Sequence, residues 1–423
     1  MQNSVRANYY EYDLIDAKHD TIHARLMQRK NRQVSPSYFT WYALKLREWG
    51  EMRVAILNTL GIPARYGGTE TCVEEVSTRL AAKGHNVTVY CGGQSGQRYS
   101  VYRGVNLINF SRMPDKVLDF SFRSLLSTFD ALSREYDVLH YFGTDSAFVA
   151  TIPRAMSRKV LLSLDGFPWN RLSYPAWVRI ALRLTPWAAM YVPQATTVDS
   201  MHVGEWYRRK CGKAPIFIPY GAKVMPRMTD REVLGKFGLE PDRYLLFVGF
   251  LLPEKGVHYI IQAFNEIGSR FPLVIVGGNP YGSSYEQSLR RLAAGRDVRF
   301  LGPVYGSDME NLYKGAYLYV NASETEGTSP AILQAMGCGN CVLASDIPQN
   351  LESIGDAGIS FKNKNPEDLA RKIRLLLSNA DIVEDHRRKA VDRVATLYSW
   401  DSIADRFEKV YISLSRDEST SRE

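Results

Sequence analysis

The residues best equipped for chemistry stand between positions 319 and 346, YVNASETEGTSPAILQAMGCGNCVLASD. An apolar run ending at Val320 predicts a strand, and 323–328 predicts a polar loop carrying Glu326. Ser329 and Pro330 mark a helix start, with a hydroxyl at the cap and a proline where no N–H is needed. The short helix stops at Gly337 and Gly339 and carries Gln334. Its first turn offers unpaired N–H groups and a partial positive charge, which suits a phosphate or another anion. Lys255, in the loop LLPEKG, adds a cation that can meet the same anion. CGNC, residues 338–341, is a lone CxxC; without a second pair it does not make a four-ligand zinc site.

Two loops nearer the N-terminus supply further candidates. GIPARYGGTE, residues 61–70, follows the apolar run VAILN and precedes a helical period of Val73, Val76 and Leu80, and then NVTVYC. This strand-helix-strand unit implies a parallel sheet with ligands at the carboxyl ends of its strands. Gly67 and Gly68 let a ligand approach the backbone, and Tyr66 and Glu70 flank them. The loop has neither GxGxxG nor a P-loop lysine, so it carries no dinucleotide or ATP fingerprint. DGFPWNR, residues 165–171, places Asp165 and Arg171 just past another strand, where α/β sites are built. His140 lies inside a strand pattern and is read as packed. Residues 174–191 predict an amphipathic helix, broken near Pro186, whose Trp177, Ile180, Ala181, Leu184, Trp187 and Tyr191 share one face while Arg179 and Arg183 lie on another. Core packing is the expected use of that face, with a membrane surface as the alternative.

The elements that position these residues occur twice. One set of strand-helix units runs from Met52 to Ala222, and a second starts at residues 244–249 with YLLFVG. The expected organisation is an extension of 1–51, a first domain of 52–222, and a second of 223–397. The 1–51 stretch has no sustained period, and is expected to be a flexible arm or to precede a true start at Met52. A final amphipathic helix, about 398–415, completes the chain.

With 423 residues there is ample length for two cores. The formal charge of +8 fits anionic small molecules, an anionic membrane or nucleic acid. Between 151 and 213, ten Lys or Arg stand against three acids, Asp165, Asp199 and Glu205. That basic region has no nucleic-acid-binding motif, which argues against nucleic acid. Five cysteines without a secretory leader point to the cytoplasm, and no apolar run is long enough to span a bilayer.

EGTSPAILQAMGCGNCV resembles the signature of retaining GT-B glycosyltransferases, in which two glutamates flank seven residues. GIPARYGGTE, DGFPWNR, IPYGA and VGFLLPEKG are similar, in the same order, to the rhamnosyltransferase-like branch that works in bacterial polysaccharide assembly. The resemblance implies an α/β GT-B fold: two facing Rossmann-like, doubly wound domains with a cleft between them. It implies a nucleotide-diphosphate-sugar co-substrate, no other cofactor and no metal, and a lipid-linked or polysaccharide acceptor. Glu326 would contact the transferred sugar, and Lys255, Gly249 and the backbone of Gly327, Thr328 and Ser329 would hold the diphosphate. Position 334 would touch the ribose, Gly67 and Gly68 would approach the phosphates, and Asp165 would stand near the reacting sugar. The implied location is the cytoplasm, or the inner membrane face as a peripheral protein. Two departures stand out. Gly249-Phe250-Leu251 replaces the usual Gly-Arg-Leu, and Gln334 replaces the second glutamate. They leave open a catalytically degenerate sugar-nucleotide binder or assembly protein, and a sugar-nucleotide epimerase is a third reading.

Overall fold

Short apolar runs become strands, and each is followed by a loop and a helix that returns the chain to the same edge. The computed structural model describes residues 50–64, 67–92, 99–110, 116–167, 169, 180, 182–279 and 284–416, with 116–121 described by their backbone. Tyr66 and Arg171 lie outside the described residues, as does the 1–49 stretch.

The first sheet contains β1 (Arg53–Thr59), β2 (Asn86–Cys91), β3 (Val101–Tyr102), β4 (Val105–Asn109), β5 (Val138–Phe142), β6 (Val160–Leu164), β7 (Ala195–Val198) and β8 (Ile216–Phe217). Their order is β3-β4-β2-β1-β5-β6-β7-β8, parallel throughout except for the β3–β4 pair. The second sheet contains β9 (Leu245–Val248), β10 (Leu273–Val276), β11 (Val298–Gly302), β12 (Leu318–Asn321), β13 (Cys341–Ser345) and β14 (Ile359–Phe361). It is wholly parallel, in the order β11-β10-β9-β12-β13-β14. Strand order reverses between β1 and β5 in one sheet and between β9 and β12 in the other. At each reversal the following loops diverge to opposite faces and leave a crevice. Both sheets belong to one compact unit that begins at Glu51.

Alternation along β1 shows how the core is divided. Val54 and Ile56 pack under the helices Gly68–Ala82 and Trp400–Arg416, while Ala55 and Leu57 face the layer holding Ala147, Ala150, Ala189 and Met190. The helix Val257–Ile267 buries Val257, Ile260, Ile261 and Phe264, the spacing of one helical stripe, against β9, β10 and β12. The last helix docks back on the first half. His85 Nε2 meets Glu408 Oε1 at 2.8 Å, Arg79 Nε donates to Asp401 at 2.6 Å, and Lys83 pairs with Asp405 and Glu408. A backbone bond of 2.8 Å from Ala222 N to Tyr398 O ties down the chain before that helix.

The expected burial of the 174–191 face is overturned where residues are described. Leu182, Ala189 and Met190 turn inward, whereas Ile180, Leu184, Trp187 and Tyr191 are exposed. The helix over Thr185–Tyr191 is set by Pro186 in its first turn, which shifts the inward register onto the small Ala189. Trp177 lies outside the described residues.

Candidate functional site

Four loops at the carboxyl ends of strands meet where the two sheets face one another. Lys255 follows β9 and Glu326 follows β12, so the strand reversal of the second sheet brings them together. Lys255 Nζ donates to Glu326 Oε1 at 2.6 Å, and Ser323 Oγ donates to the same oxygen at 2.7 Å. The two charged side chains are mostly buried, and the pair holds the 322–328 loop under the helix Pro330–Gly337.

The helix start sits as expected, with Ser329 at the cap, but the Ser329 hydroxyl makes no capping bond. The partner of this terminus comes from the other sheet. Thr328 N–H donates to Asp199 Oδ2 at 3.0 Å, and the Thr328 hydroxyl donates to the Asp199 carbonyl. Gly327 is required by this approach, because a Cβ there would fall 2.3 Å from Asp199 Oδ2. Next to it, a Cβ on Gly166 would stand 3.3 Å from Gly327 N, so the loop carrying Asp165 abuts the loop carrying Glu326.

The first turns of two helices meet in the same place. Gly68 opens the helix Gly68–Ala82, and a Cβ on it would come within 2.5 Å of Pro330 Cγ. Both N-termini therefore direct partial positive charge at one locus. Carboxylates gather around it. A small cavity at the ends of β5, β6 and β7 is lined by Thr69, Gly143, Asp165, Thr197, Asp199 and Tyr220. Burial pushes the Asp199 carboxyl up to about 8 against the Thr328 N–H, which favours ionisation; the charges of Asp165 and Glu352 add to the rise. Asp199 Oδ1 is buried and makes no hydrogen bond among the described residues. Glu352 crosses between the halves in the opposite direction: its carboxylate accepts from Ser200 Oγ and Met201 N, both at 2.9 Å, at the start of the helix Met201–Cys211. Burial raises Glu352 as well, opposed by these donors.

The other expected residues divide. Lys255, Glu326, Gly327, Thr328 and Ser329 form one cluster, joined by Asp165 through Gly166 and by Gly68 through Pro330. Gly67 caps the first helix at φ 98°, and Glu70 braces the preceding loop by accepting from Leu60 N at 3.3 Å. Burial raises the Glu70 carboxyl. Gly249 packs against its own strand's Phe247 and against the Gly277 backbone. Gln334 turns along its helix, its amide donating to Cys338 Sγ at 3.4 Å. Cys338 and Cys341 are buried free thiols, pushed by burial up to about 11 and about 12, which fits packing and not redox work. His140 is packed, bonded to Tyr411 OH and Ser163 Oγ at 2.7 Å each, and burial drives it down to about 3.

Asp199 and Glu352 escaped the sequence reading. Asp199 had the signal used for Asp165, a carboxylate directly after a strand. Glu352 had none, since its partners lie about 150 residues away.

The fold has neighbours among solved structures. Sucrose-phosphate synthase from Thermosynechococcus elongatus superposes with a TM-score of 0.75 at 18% identity, covering 86% of this chain and 99% of that one. The fold is GT-B. The family model "Glycosyltransferase Family 4" matches residues 66–220 of this GT-B chain, and "Glycosyl transferases group 1" matches 230–393. An uncharacterized glycosyltransferase of Methanocaldococcus jannaschii is 33% identical over 176 residues, 41% of this chain and 45% of that protein. The N,N'-diacetylbacillosaminyl-diphospho-undecaprenol alpha-1,3-N-acetylgalactosaminyltransferase of Campylobacter jejuni is 31% identical over 169 residues, 40% of this chain and 44% of that protein. The chain thus spans about half the length of the curated relatives it matches. The two family models, one on each half, support the group 1 superfamily of glycosyltransferases, and the solved neighbour shows the GT-B fold.

Proposed function

We propose that the chain is a retaining, metal-independent glycosyltransferase of the hexosyl type. It moves a sugar from a nucleotide-diphosphate donor to a lipid-linked or polysaccharide acceptor, and rhamnose from a dTDP donor is the first sugar to try. The observation that carries this reading is the Lys255–Glu326 pair, set at a strand reversal beneath the start of the helix Pro330–Gly337 and against the Asp165 loop. A strand reversal is where α/β sheets bind ligands, and a helix N-terminus with an adjacent ammonium suits a diphosphate.

In this account the half built on the second sheet, residues 223–397, holds the donor, and 52–222 with the final helix holds the acceptor. Glu326 accepts from the hydroxyls of the transferred sugar. Lys255 and the backbone of 327–329 stabilise the departing diphosphate, which carries more charge in the transition state than in the ground state. The bond from the anomeric carbon to the diphosphate oxygen breaks, and the acceptor oxygen bonds to that carbon on the same face. The acceptor proton passes to the leaving phosphate. The sugar passes through an oxocarbenium-like state, and Asp165, whose loop abuts that of Glu326, is assigned to steady it electrostatically. Gly67 and Gly68 approach the phosphates from the first half, Gly249 lies on the diphosphate side, and Gln334 reaches the ribose after a change of rotamer; Tyr66, Glu70 and Arg171 are further cleft candidates. A lipid-linked acceptor would bring the protein to a membrane surface as a peripheral protein.

A second reading is a sugar-nucleotide binder without turnover. It is favoured by Phe250, which is exposed where the family carries arginine, and by Gln334, whose amide is turned toward Cys338. Incubating the protein with a panel of nucleotide-sugars and crude bacterial membranes separates the two. Release of nucleoside diphosphate that depends on both donor and membranes supports the transferase; binding with no release by wild type, restored by Phe250→Arg, supports the binder.

A further inference from the structure

The two outer sides of the first sheet differ in kind. Over one face, the outer surfaces of Gly68–Ala82 and Trp400–Arg416 carry the Arg79–Asp401 and Lys83–Asp405 ion pairs, an ordinary solvated surface. Over the other face lie three helices, Lys116–Leu132, Thr151–Ala155 and Thr185–Tyr191. They form one layer: Arg158 Nη2 donates to Leu132 O at 3.1 Å, and Arg154 Nε donates to Val192 O at 2.8 Å. Their inner sides supply Ala131, Ala150, Ala189 and Met190 to the core. Phe122 and Phe129 on the first helix, Trp187 on the third, and Phe148, Ile180 and Leu184 in the segments that lead into the second and third are exposed, with Leu184 71% and Trp187 51% accessible. Large apolar side chains that cluster on one surface mark an interaction site, because a soluble surface ordinarily disperses them.

The charge around this layer says what kind of partner fits. Of the three acids between 151 and 213, Asp199 is buried at the site already described, Asp165 stands beside it, and Glu205 is taken up by Arg208 and Arg209 at 2.6 Å each. Of the ten basic residues of that stretch, Arg208 and Arg209 pair with Glu205, and Arg171 and Arg179 lie outside the described residues; Arg154, Arg158, Arg183 and Lys213 stand at the layer itself, where Asp130 of Lys116–Leu132 is paired with Arg134. Arg183 is exposed between Ile180 and Leu184, and Lys213 Nζ donates to Met190 O at 3.0 Å at the end of Thr185–Tyr191. Trp187 and Tyr191 stack at 5.8 Å between centroids on the outer side. Aromatic and aliphatic side chains that sink into the headgroup boundary, rimmed by Arg and Lys, are the composition of an interfacial membrane-binding surface.

We propose that the outer side of this three-helix layer is a docking face for an anionic lipid bilayer. The inference deepens, and rests for its biological purpose on, the reading of a lipid-linked acceptor. The acceptor-side half would then ride on the membrane, and the second sheet would remain free to take donor from solution.

The test is sedimentation of the full chain with phosphatidylcholine vesicles, with and without phosphatidylglycerol. Wild type should pellet with the anionic vesicles, less in high salt and little with phosphatidylcholine alone. Leu184→Glu with Trp187→Glu should weaken partitioning by about tenfold or more, while Met228→Glu, more exposed but before the second sheet, should not. Phe122→Ser with Phe129→Ser on the neighbouring helix gives a second route to the same loss if the first variant does not fold. No pelleting of wild type, or pelleting that both double variants retain, overturns the proposal. So does a concentration-dependent dimer that the variants abolish without any vesicle binding, which would assign the face to a second copy. Thermal stabilisation by a nucleotide-sugar, read on the same preparations, reports the donor reading separately, so either idea can fail alone.

Discussion

The Asp199 carboxylate, on the first sheet, accepts a hydrogen bond of 3.0 Å from the backbone N–H of Thr328 on the second. A side-chain carboxyl thus occupies a donor at the helix start that the proposed function assigns to the diphosphate. Donor binding must exchange one acceptor for the other. Replacing Asp199 with Asn keeps the shape and removes the ionisable group. Asp199→Asn is therefore expected to bind nucleoside diphosphates more tightly than wild type at pH 9, by roughly three- to tenfold. The difference should shrink at pH 6, where wild-type Asp199 is protonated. Titration calorimetry at the two pH values checks this; equal affinities at pH 9 would refute the exchange.

The same group makes stability depend on pH. Its folded value, about 8, lies above the usual carboxylate range, so the folded state holds a proton that the unfolded state has released. For an acid raised in this way, stability falls as pH rises from the usual carboxylate range toward 8 and levels off above it. Glu70 and Glu352, also raised by burial, act in the same direction. The loss attributable to Asp199 is on the order of a few kcal/mol across that window. Melting temperatures from pH 5 to pH 9 should fall for wild type and fall less for Asp199→Asn. Parallel curves would show that Asp199 does not titrate there.

Glu326→Gln and Lys255→Ala should each lower kcat by roughly 10² to 10³ while the protein stays folded, since in the proposed mechanism both act on charge that develops during transfer. Lys255→Ala also leaves a mostly buried carboxylate without its ammonium, so its melting temperature should drop further than that of Lys255→Arg. Steady-state rates and melting curves on the same samples test both statements.

Glu352→Ala removes the carboxylate that satisfies Ser200 Oγ and the Met201 N–H at the start of Met201–Cys211. The expected cost is roughly 1–3 kcal/mol, the range for losing a buried cap with charge-assisted bonds. Chemical denaturation gives the value. No change would mean that the helix start finds another acceptor.

Gly68→Val should oppose the approach of the two halves, because even a Cβ at Gly68 would lie 2.5 Å from Pro330 Cγ. Overpacking of this kind costs about 1–3 kcal/mol if the contact persists. The variant should therefore show lower melting temperature or faster proteolysis between the sheets. Wild-type behaviour in both would show that the contact is slack.

Much of the fold was legible because its signals are local. Apolar runs of four to six residues bounded by glycine gave the strands, and Ser329-Pro330 gave the helix start to the residue. The pairing of Lys255 with Glu326 was legible only as a shared anion site. Their direct contact depends on β9 and β12 being neighbours, which is a property of strand order. The outward turn of Leu184 and Trp187 was legible only as the alternative to core packing, since a helical stripe has the same spacing whether it faces inward or outward. Asp199 was misread as one acid in a charge count. Its importance comes from burial and from Thr328, 129 residues away.

The central claim is that Lys255, Glu326 and the start of Pro330–Gly337 receive a nucleotide-diphosphate-sugar. A thermal-shift series with UDP-, dTDP-, GDP- and ADP-sugars on wild type and Lys255→Ala tests it most directly. Saturation at a hundredfold over Kd adds about 2.7 kcal/mol to the native state. The account predicts a clear rise in melting temperature with one nucleotide class, absent with the bare sugar and strongly reduced in Lys255→Ala. No rise with any donor, or an equal rise in Lys255→Ala, would contradict it.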